Sequence, residues 1–298
     1  MQNYFSKYIK KGDLCKKEAP FMTPIIILMS LAILPVMILA TYVYRADKLN
    51  KEPPGMLAKA FFMGCLAAFP AIAMESFLTG FFDGVGGNEM GAVGRGLFNG
   101  FVVAGFSEEL CKLLMLTIAV WRSRHFDEYF DGIVYATFVS LGFAAFENFG
   151  YVFGQGTFMA AMMTGTMRAI LAVPAHFLFG VSMGYFFALA KFDTHHRLGN
   201  LMKALLVPTL LHGSYDALLM IPEEFGEDGG LVTTLLFAAF IFFDIKLWKI
   251  GMRRLYHLQE LSQENAESGA SDNDSSDFSS GNGYGEDGDR FKNFKWDF

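Results

Sequence analysis

The chain has 298 residues, of which 53% are apolar and 18% are charged, with 24 Lys and Arg against 30 Asp and Glu. The mean hydropathy is +0.32, and the apolar residues fall into long runs, which excludes an ordinary soluble domain. No basic stripe with interleaved aromatic residues is present, so we expect no nucleic-acid partner, and three widely spaced cysteines exclude a disulfide framework.

Seven apolar stretches are each long enough to cross the roughly 30 Å of hydrocarbon in a lipid bilayer. In chain order they are 24–44, 56–79, 97–120, 132–153, 157–190, 201–221 and 231–250. The basic N-terminal segment 1–23 precedes a run too long for a signal peptide, so we predict a retained first span. The pattern predicts an all-α fold, a polytopic transmembrane helix bundle.

The stretch 157–190 leaves the number of spans open at seven or eight. It is too long for one upright span, and Pro174 in its middle would bend or break a helix. With either number, the distribution of Lys and Arg places the C-terminus in the cytoplasm and leaves the side of the N-terminus undecided.

The last part of the chain, 251–298, combines a basic cytoplasmic anchor with an acidic tail. From about residue 258 the tail is rich in Ser, Gly and acidic residues and poor in aliphatic ones, so we predict that it is disordered. The predicted organisation is therefore a basic segment 1–23, a transmembrane domain 24–250, and an anchor with a disordered tail, 251–298.

Several charged or strongly polar side chains interrupt the apolar stretches. They are Glu108, Glu109, Lys112, Glu147, Asn148, Arg168, His176, His212 and Asp216. A charge at mid-bilayer costs roughly 2.5–3.5 kcal/mol on the insertion scale, so these side chains should face one another and serve a function. The acids of the connecting segment 125–131, by contrast, are typical of a solvated loop.

Helical spacing groups these residues further. Lys112 lies four residues after Glu108 and three after Glu109, so it can pair with either carboxylate. His212 and Asp216 share a helix face. Alone, such a set suits a metal site that activates water, a proton or ion pathway, or simple interhelical hydrogen bonds.

Three motifs in order add a resemblance to a known family. The segment Glu108-Glu109-Leu-Cys-Lys112 resembles the EExxK motif of PrsW-type intramembrane proteases. Phe143-Ala-Ala-Phe-Glu147-Asn148 resembles their FxxxEN motif, and His212-Gly-Ser-Tyr-Asp216 their HxxxD motif. The segments 45–53 and 125–143 are also similar, and the resemblance spans about residues 24–250.

The resemblance implies a membrane endopeptidase with a glutamate-centred site, within a superfamily that includes CAAX prenyl endopeptidases. It implies cleavage of a single-pass membrane protein, such as site-1 cleavage of an anti-sigma factor, in the inner (plasma) membrane of a bacterium. A prenyl-protein endopeptidase, or a non-proteolytic transporter or binding protein, remains as an alternative.

Peptide hydrolysis then assigns roles to the polar residues. Glu108 or Glu109 would be the general base, held by Lys112, while Asn148 would bind the scissile carbonyl and Arg168 would act as counter-ion. A zinc site would draw its ligands from Glu147, His176, His212 and Asp216. Without a metal, the two histidines would stabilise the oxyanion.

Overall fold

The computed structural model describes residues 22–225 and 230–274, and it is all-helical over those residues. The α-helices are α1 Met22–Ala46, α2 Pro54–Gly84, α3 Ala92–Phe98, α4 Ser107–Val120, α5 Tyr129–Phe153, α6 Phe158–Met167, α7 Val173–Phe192, α8 Arg197–Phe225 and α9 Gly230–Asp274. Two π-helical segments, Asn99–Phe106 and Arg168–Ala172, join α3 to α4 and α6 to α7 without a break.

Six of the described helical stretches are long and apolar enough to cross a membrane. They are Pro24–Ala46, Pro54–Gly84, Tyr129–Phe153, Phe158–Phe192, Arg197–Phe225 and Gly230–Glu267. The predicted transmembrane helix bundle is thus confirmed as an all-helical multi-pass fold. The predicted span 97–120 is helical as well, but its charged residues keep it out of this group.

The ambiguous stretch 157–190 forms one continuous helical path, α6–α7, rather than two helices. Pro174 lacks an N–H and would clash with the carbonyl four residues earlier in a regular helix. The π-helical turn Arg168–Ala172 lies directly before it and widens the helix there, so the chain continues through the proline. Arg168 is the first residue of this turn, and His176 lies two residues after Pro174.

The centre of the bundle is the pair α5 and α7, whose residues are mostly buried. Glycines bring the two backbones together: a Cβ atom on Gly184 would overlap the carbonyl oxygen of Gly132. On the other side of α5, a Cβ on Gly64 of α2 would overlap the Val139 carbonyl oxygen. Such close contacts between small residues are typical of membrane helix packing.

The C-terminal half of α9 corrects the prediction of a tail disordered from about residue 258. Residues 258–274 are helical, and the remaining part of the predicted tail, 275–298, lies outside the described residues, as does 1–21 of the basic segment. Leu255 and Leu258 are fully buried, and the Ser262 hydroxyl accepts a hydrogen bond from the Phe130 N–H at 3.0 Å. These contacts with the start of α5 order a segment whose composition alone favours disorder.

The connections at the same end carry a second acidic group, the loop acid cluster, consisting of Asp47, Glu52, Glu128 and Asp131. Glu128 and Asp131 form the capping box that begins α5, and Asp131 Oδ2 accepts the N–H groups of residues 127 and 128. The Tyr135 hydroxyl donates to Glu52. Asp47, Glu52 and Asp131 are buried, so the expectation of a solvated loop for the acids of segment 125–131 was wrong for Asp131.

Candidate active site

Helix α4 begins with the two adjacent acids, at the point where the π-helical segment Asn99–Phe106 ends. Lys112, one turn later, places its Nζ atom 3.0 Å from Glu108 Oε2 and 2.8 Å from Glu109 Oε1. The side chains of Glu109 and Lys112 have no exposed surface. The spacing predicted a pair with either acid, and the lysine contacts both.

Lys112 also links α4 to α7 and α5. Its Nζ atom lies 3.2 Å from His176 Nδ1 and 4.2 Å from the centre of the Phe143 ring. Because an ammonium group can only donate, Nδ1 accepts and the proton of the neutral imidazole sits on Nε2. That nitrogen lies 2.8 Å from Glu147 Oε2, so His176 is oriented from both sides.

Behind this histidine, α5 and the π-helical turn form an ion pair. Arg168 Nη2 lies 2.8 Å from Glu147 Oε2, and its guanidinium packs 4.2 Å from the centre of the Tyr151 ring. The Arg168 Nε–H donates to Asn148 Oδ1 at 2.7 Å. Arg168 therefore lies where a counter-ion for Glu147 is needed.

The hydrogen bonds of Asn148 go to groups other than the acids of α4. Besides the contact with Arg168, its Nδ2 donates to the carbonyl of Ala32 in α1 at 3.2 Å, and the side chain is buried. Both polar atoms of the amide thus have partners within the protein. This arrangement favours a role in holding Arg168 over the predicted contact with a scissile carbonyl.

Helix α8 brings the second histidine against the acids of α4. His212 Nδ1 lies 2.9 Å from Glu109 Oε1, and its Nε2 lies 3.2 Å from Asp216 Oδ2 and 3.8 Å from Glu108 Oε2. Because each ring nitrogen faces a carboxylate, the imidazole is held in its orientation from both sides. Its face stacks on Phe179, with the ring centres 4.7 Å apart.

This close approach of α8 depends on glycines. A Cβ atom on Gly105 would lie 2.9 Å from the Gly213 backbone nitrogen, and one on Gly100 would lie 2.7 Å from the Ala217 nitrogen. Larger residues there would move α8 away from the π-helical segment. His212 would then lose Glu109.

Four side chains converge closely enough to hold one metal ion. They are Glu108, Glu109, His176 and His212, each buried and each offering a ligand atom within 4.8 Å of the others. The metal ligands predicted from the sequence include the same two histidines, but their carboxylates are those of Glu147 and Asp216. In the structure those two carboxylates each contact a ring nitrogen of one histidine, so they lie where orienting groups for metal-bound histidines are found.

Exposure rises from one side of the site to the other. Glu109 and Lys112 are fully enclosed and Glu108 has 8% of its side chain exposed, whereas Asp216 and Glu147 have 16% and 20% exposed. The site therefore opens toward the ends of α5 and α8 that carry these last two residues.

Glu75 of α2 is a further acid near the site, and the sequence left open whether its side chain reaches the membrane surface or joins the polar cluster. It is half-buried and interacts electrostatically with Glu147, His212, Lys112 and Asp216. A single Glu near the end of an apolar stretch equally fits a side chain that reaches the membrane surface. The small residues Ala68 and Ala71 before it on the same helix face were the available signal.

Comparison with known proteins agrees with the motifs. Residues 52–244 match the family described as PrsW family intramembrane metalloprotease. The chain is 34% identical over 227 residues to Protease PrsW of Clostridioides difficile strain 630, an alignment that covers 76% of this chain and 88% of the relative.

Two further relatives carry the same name. Protease PrsW of Bacillus subtilis strain 168 is 39% identical over 193 residues, covering 64% of this chain and 82% of the relative. Protease PrsW of Geobacillus kaustophilus strain HTA426 is 33% identical over 228 residues, covering 76% and 90%. No solved structure shows significant similarity to the chain. The matched region contains all the acids, histidines and basic residues of the site, and the chain therefore belongs to the PrsW family of intramembrane metalloproteases.

Proposed function

We propose that this protein hydrolyses a peptide bond of a membrane-anchored substrate with a water molecule activated by Glu108. The observation that carries the proposal is the convergence of Glu108, Glu109, His176 and His212 within 4.8 Å at membrane depth. Burying such a group at membrane depth costs free energy, and ionisable residues at that depth mark functional sites. The family relationship supports proteolysis over transport.

The two adjacent glutamates have different surroundings and so suit different tasks. Glu109 is enclosed and held by both Lys112 and His212, whereas Glu108 retains some exposure and contacts Lys112 alone at hydrogen-bond distance. Glu108 can therefore reach a water molecule in the opening of the site. It accepts the proton of that water as the oxygen attacks the carbonyl carbon. Lys112 holds both carboxylates in position.

The donor set fits a divalent metal ion, and zinc in particular. Two imidazoles with one carboxylate are a common set of ligands in zinc hydrolases. When bound, the ion would polarise the scissile carbonyl and lower the pKa of the attacking water. His176, His212 and Glu109 would hold the ion, while Glu147 and Asp216 would orient the two histidines.

Buried charge supports the same conclusion. The five carboxylates of Glu75, Glu108, Glu109, Glu147 and Asp216 face the two permanent cations Lys112 and Arg168, which leaves three negative charges in excess. Glu109 Oε2 is buried without a hydrogen-bond partner. Excess charge at membrane depth requires a cation or bound protons.

We further propose seven spans, with the continuous helix from Ala92 to Val120 as the seventh beside the six apolar ones. With the C-terminus in the cytoplasm, the basic flanks 45–59, 122–124, 191–203 and 246–254 all lie inside. The opening of the site then faces the outer side of the plasma membrane. A single-pass protein cut near that side, such as an anti-sigma factor at its first cleavage site, fits this orientation.

The test is cleavage by the purified full-length protein in proteoliposomes that contain a single-pass substrate. Glu108→Gln and His212→Ala should each lower cleavage at least about a hundredfold. Glu223→Gln, which alters an exposed acid on the same helix as His212, is the matched control and should cleave normally. Full activity of Glu108→Gln would refute the proposed mechanism.

Two measurements complete the test. Elemental analysis of the wild-type protein should find about one zinc per chain, and His176→Ala should lose it. A prenylated soluble peptide, offered beside the transmembrane substrate, should remain uncut. Cleavage of the prenylated peptide alone would assign the protein to prenyl-protein processing.

A further inference from the structure

Glu75 lies on the face of α2 that packs against the site. Gly64, Ala67, Ala68 and Ala71 form a stripe of small, buried residues along this face, and the alanines pack against Cys111 of α4 and Phe143 of α5. Glu75 follows Ala71 by four residues and so continues the stripe one turn further. The helix thus directs this acid toward α4 and α5, while neighbouring positions 72, 73, 76 and 77 are exposed.

Glu75 interacts electrostatically with groups of the site itself: Lys112 on α4, Glu147 on α5, and His212 and Asp216 on α8. Two of the three interacting residues on α5 and α8 are carboxylic acids, as Glu75 is. A carboxyl group in this position is less costly to bury with its proton than without it.

The other acids and histidines of the site are already engaged. Glu108 and Glu109 contact Lys112, Glu147 contacts Arg168 and His176, and Asp216 contacts His212. Both nitrogens of each histidine are used. Among the residues that the structure describes, Glu75 is the acid of this group with no hydrogen bond or ion pair.

Peptide hydrolysis needs one group that these contacts leave unassigned, the acid that protonates the leaving amine. We propose that Glu75 is this proton donor, an inference that rests on the proposed proteolytic function. Its carboxyl group has no other partner among the described residues, continues the face of α2 that packs against α4 and α5, and interacts electrostatically with Glu147 and Asp216.

The attacking water gives one proton to Glu108 and its oxygen to the carbonyl carbon, forming the tetrahedral intermediate. As the C–N bond breaks, the Glu75 carboxyl gives its proton to the leaving nitrogen, which departs as a neutral amine. After product release, the proton on Glu108 returns to Glu75 through water, so the cycle consumes one water and leaves both acids as they began.

The experiment compares two substrates that differ in the leaving group. The first is a single-pass peptide substrate, and the second carries a thioester at the scissile position, whose thiolate leaves without protonation. Glu75→Gln should lower kcat for the peptide at least about a hundredfold with little change in KM. The same variant should cleave the thioester within about tenfold of the wild-type rate, because general acid catalysis contributes little there.

The controls separate this inference from the proposed function. Asp83→Asn changes an exposed acid two turns further along α2 and should affect neither substrate. Glu75→Asp should restore part of the peptide cleavage. Wild-type cleavage with an unaffected Glu75→Gln, or equal losses on both substrates, would overturn the role of Glu75, whereas absence of wild-type cleavage would instead refute the proteolytic function.

Discussion

The site and the loop acid cluster both bury several carboxylates, yet they compensate for the charge differently. In the site, Lys112 contacts two acids and Arg168 contacts a third, each at 3.0 Å or less. In the cluster of Asp47, Glu52, Glu128 and Asp131, the partners are backbone N–H groups and the Tyr135 hydroxyl. No Lys, Arg or His among the described residues forms an ion pair with these four acids.

The difference has a physical consequence. A buried cation favours the ionised form of a neighbouring carboxylate, as Lys112 does beside Glu108 and Glu109. Acids without a cation take up protons instead. Burial raises the pKa of Glu52 to about 7, with further contributions from the charges of Asp127 and Asp47. Burial likewise raises the pKa of Glu128 to about 7 and that of Asp47 above its usual value.

Unpartnered oxygens mark the same contrast. Asp47 Oδ2, Glu128 Oε2 and Asp131 Oδ1 are buried without hydrogen-bond partners in the cluster. A proton on such an oxygen supplies a donor to a neighbouring carboxylate. The molecule therefore uses cations to hold charge where chemistry requires it, and protons to remove charge where the loops pack.

Removal of the central cation should have the largest effect. Lys112→Met leaves Glu108 and Glu109 buried without a positive partner, and breaking a buried ion pair in this way costs about 3–5 kcal/mol. We expect a lower thermal unfolding midpoint in detergent and no cleavage. Adding Glu109→Gln should recover part of the stability, because one of the two stranded charges is then gone. A Lys112→Met protein with wild-type unfolding would contradict the role of the lysine as counter-ion.

The loop acid cluster should make stability depend on pH. Because the pKa of folded Glu52 lies above its ordinary value of 4.5, the folded protein binds this proton more tightly than the unfolded chain does. Stability from Glu52 is then fully present below about pH 4.5 and is lost as pH rises through about 7, by on the order of 2–3 kcal/mol.

Glu52→Gln tests this dependence, since the glutamine keeps an oxygen for the Tyr135 hydroxyl but cannot ionise. The variant should match the wild type at pH 5 and unfold at a higher temperature at pH 8. Glu264→Gln, at an exposed position of α9, should leave the pH profile unchanged. Parallel profiles for Glu52→Gln and wild type would show that this carboxyl keeps its ordinary affinity for protons.

The cation behind the first histidine should matter less than Lys112. Arg168→Met leaves Glu147 free to turn away from His176, and loss of such an orienting group lowers activity or metal affinity about 10–100-fold. Arg95→Met is the matched control, because Arg95 pairs with Glu224 at 2.6 Å in a more exposed setting. That pair should contribute less than about 1 kcal/mol. Equal effects of the two substitutions on kcat/KM would refute the special role of Arg168.

The helices and the ion pairs within one helix were predictable from the sequence, because both depend on residues that are close together in the chain. The contact of Lys112 with Glu108 and Glu109 follows from helical spacing within one element. The pairing of His176 with Glu147 and of His212 with Glu109 does not follow from helical spacing, because it depends on how α5, α7 and α8 pack. The position of Glu75 was left open by the sequence for the same reason.

The end of α9 shows the limit of composition. Its acidic and serine-rich residues predict disorder when considered alone, yet Leu255, Leu258 and Leu261 recur at helical spacing and pack on the bundle. Burial against the start of α5 outweighs the local preference. A short apolar stripe within a polar segment predicts such packing, but the average composition of the segment hides the stripe.

The smallest expected effect concerns this packing. Ser262→Ala removes the hydroxyl that accepts the Phe130 N–H, and a buried donor left without a partner costs about 1–3 kcal/mol, with about 1 expected near a helix end where water can enter. Hydrogen exchange of the Phe130 amide and of residues 255–267 should speed up, while kcat stays unchanged because the site lies elsewhere. Ser214→Ala, whose hydroxyl bonds only to the Leu210 carbonyl on the exposed face of α8, is the control and should change neither. If α9 exchanged as slowly in Ser262→Ala as in the wild type, apolar contact by the buried leucines alone would account for its docking against the start of α5.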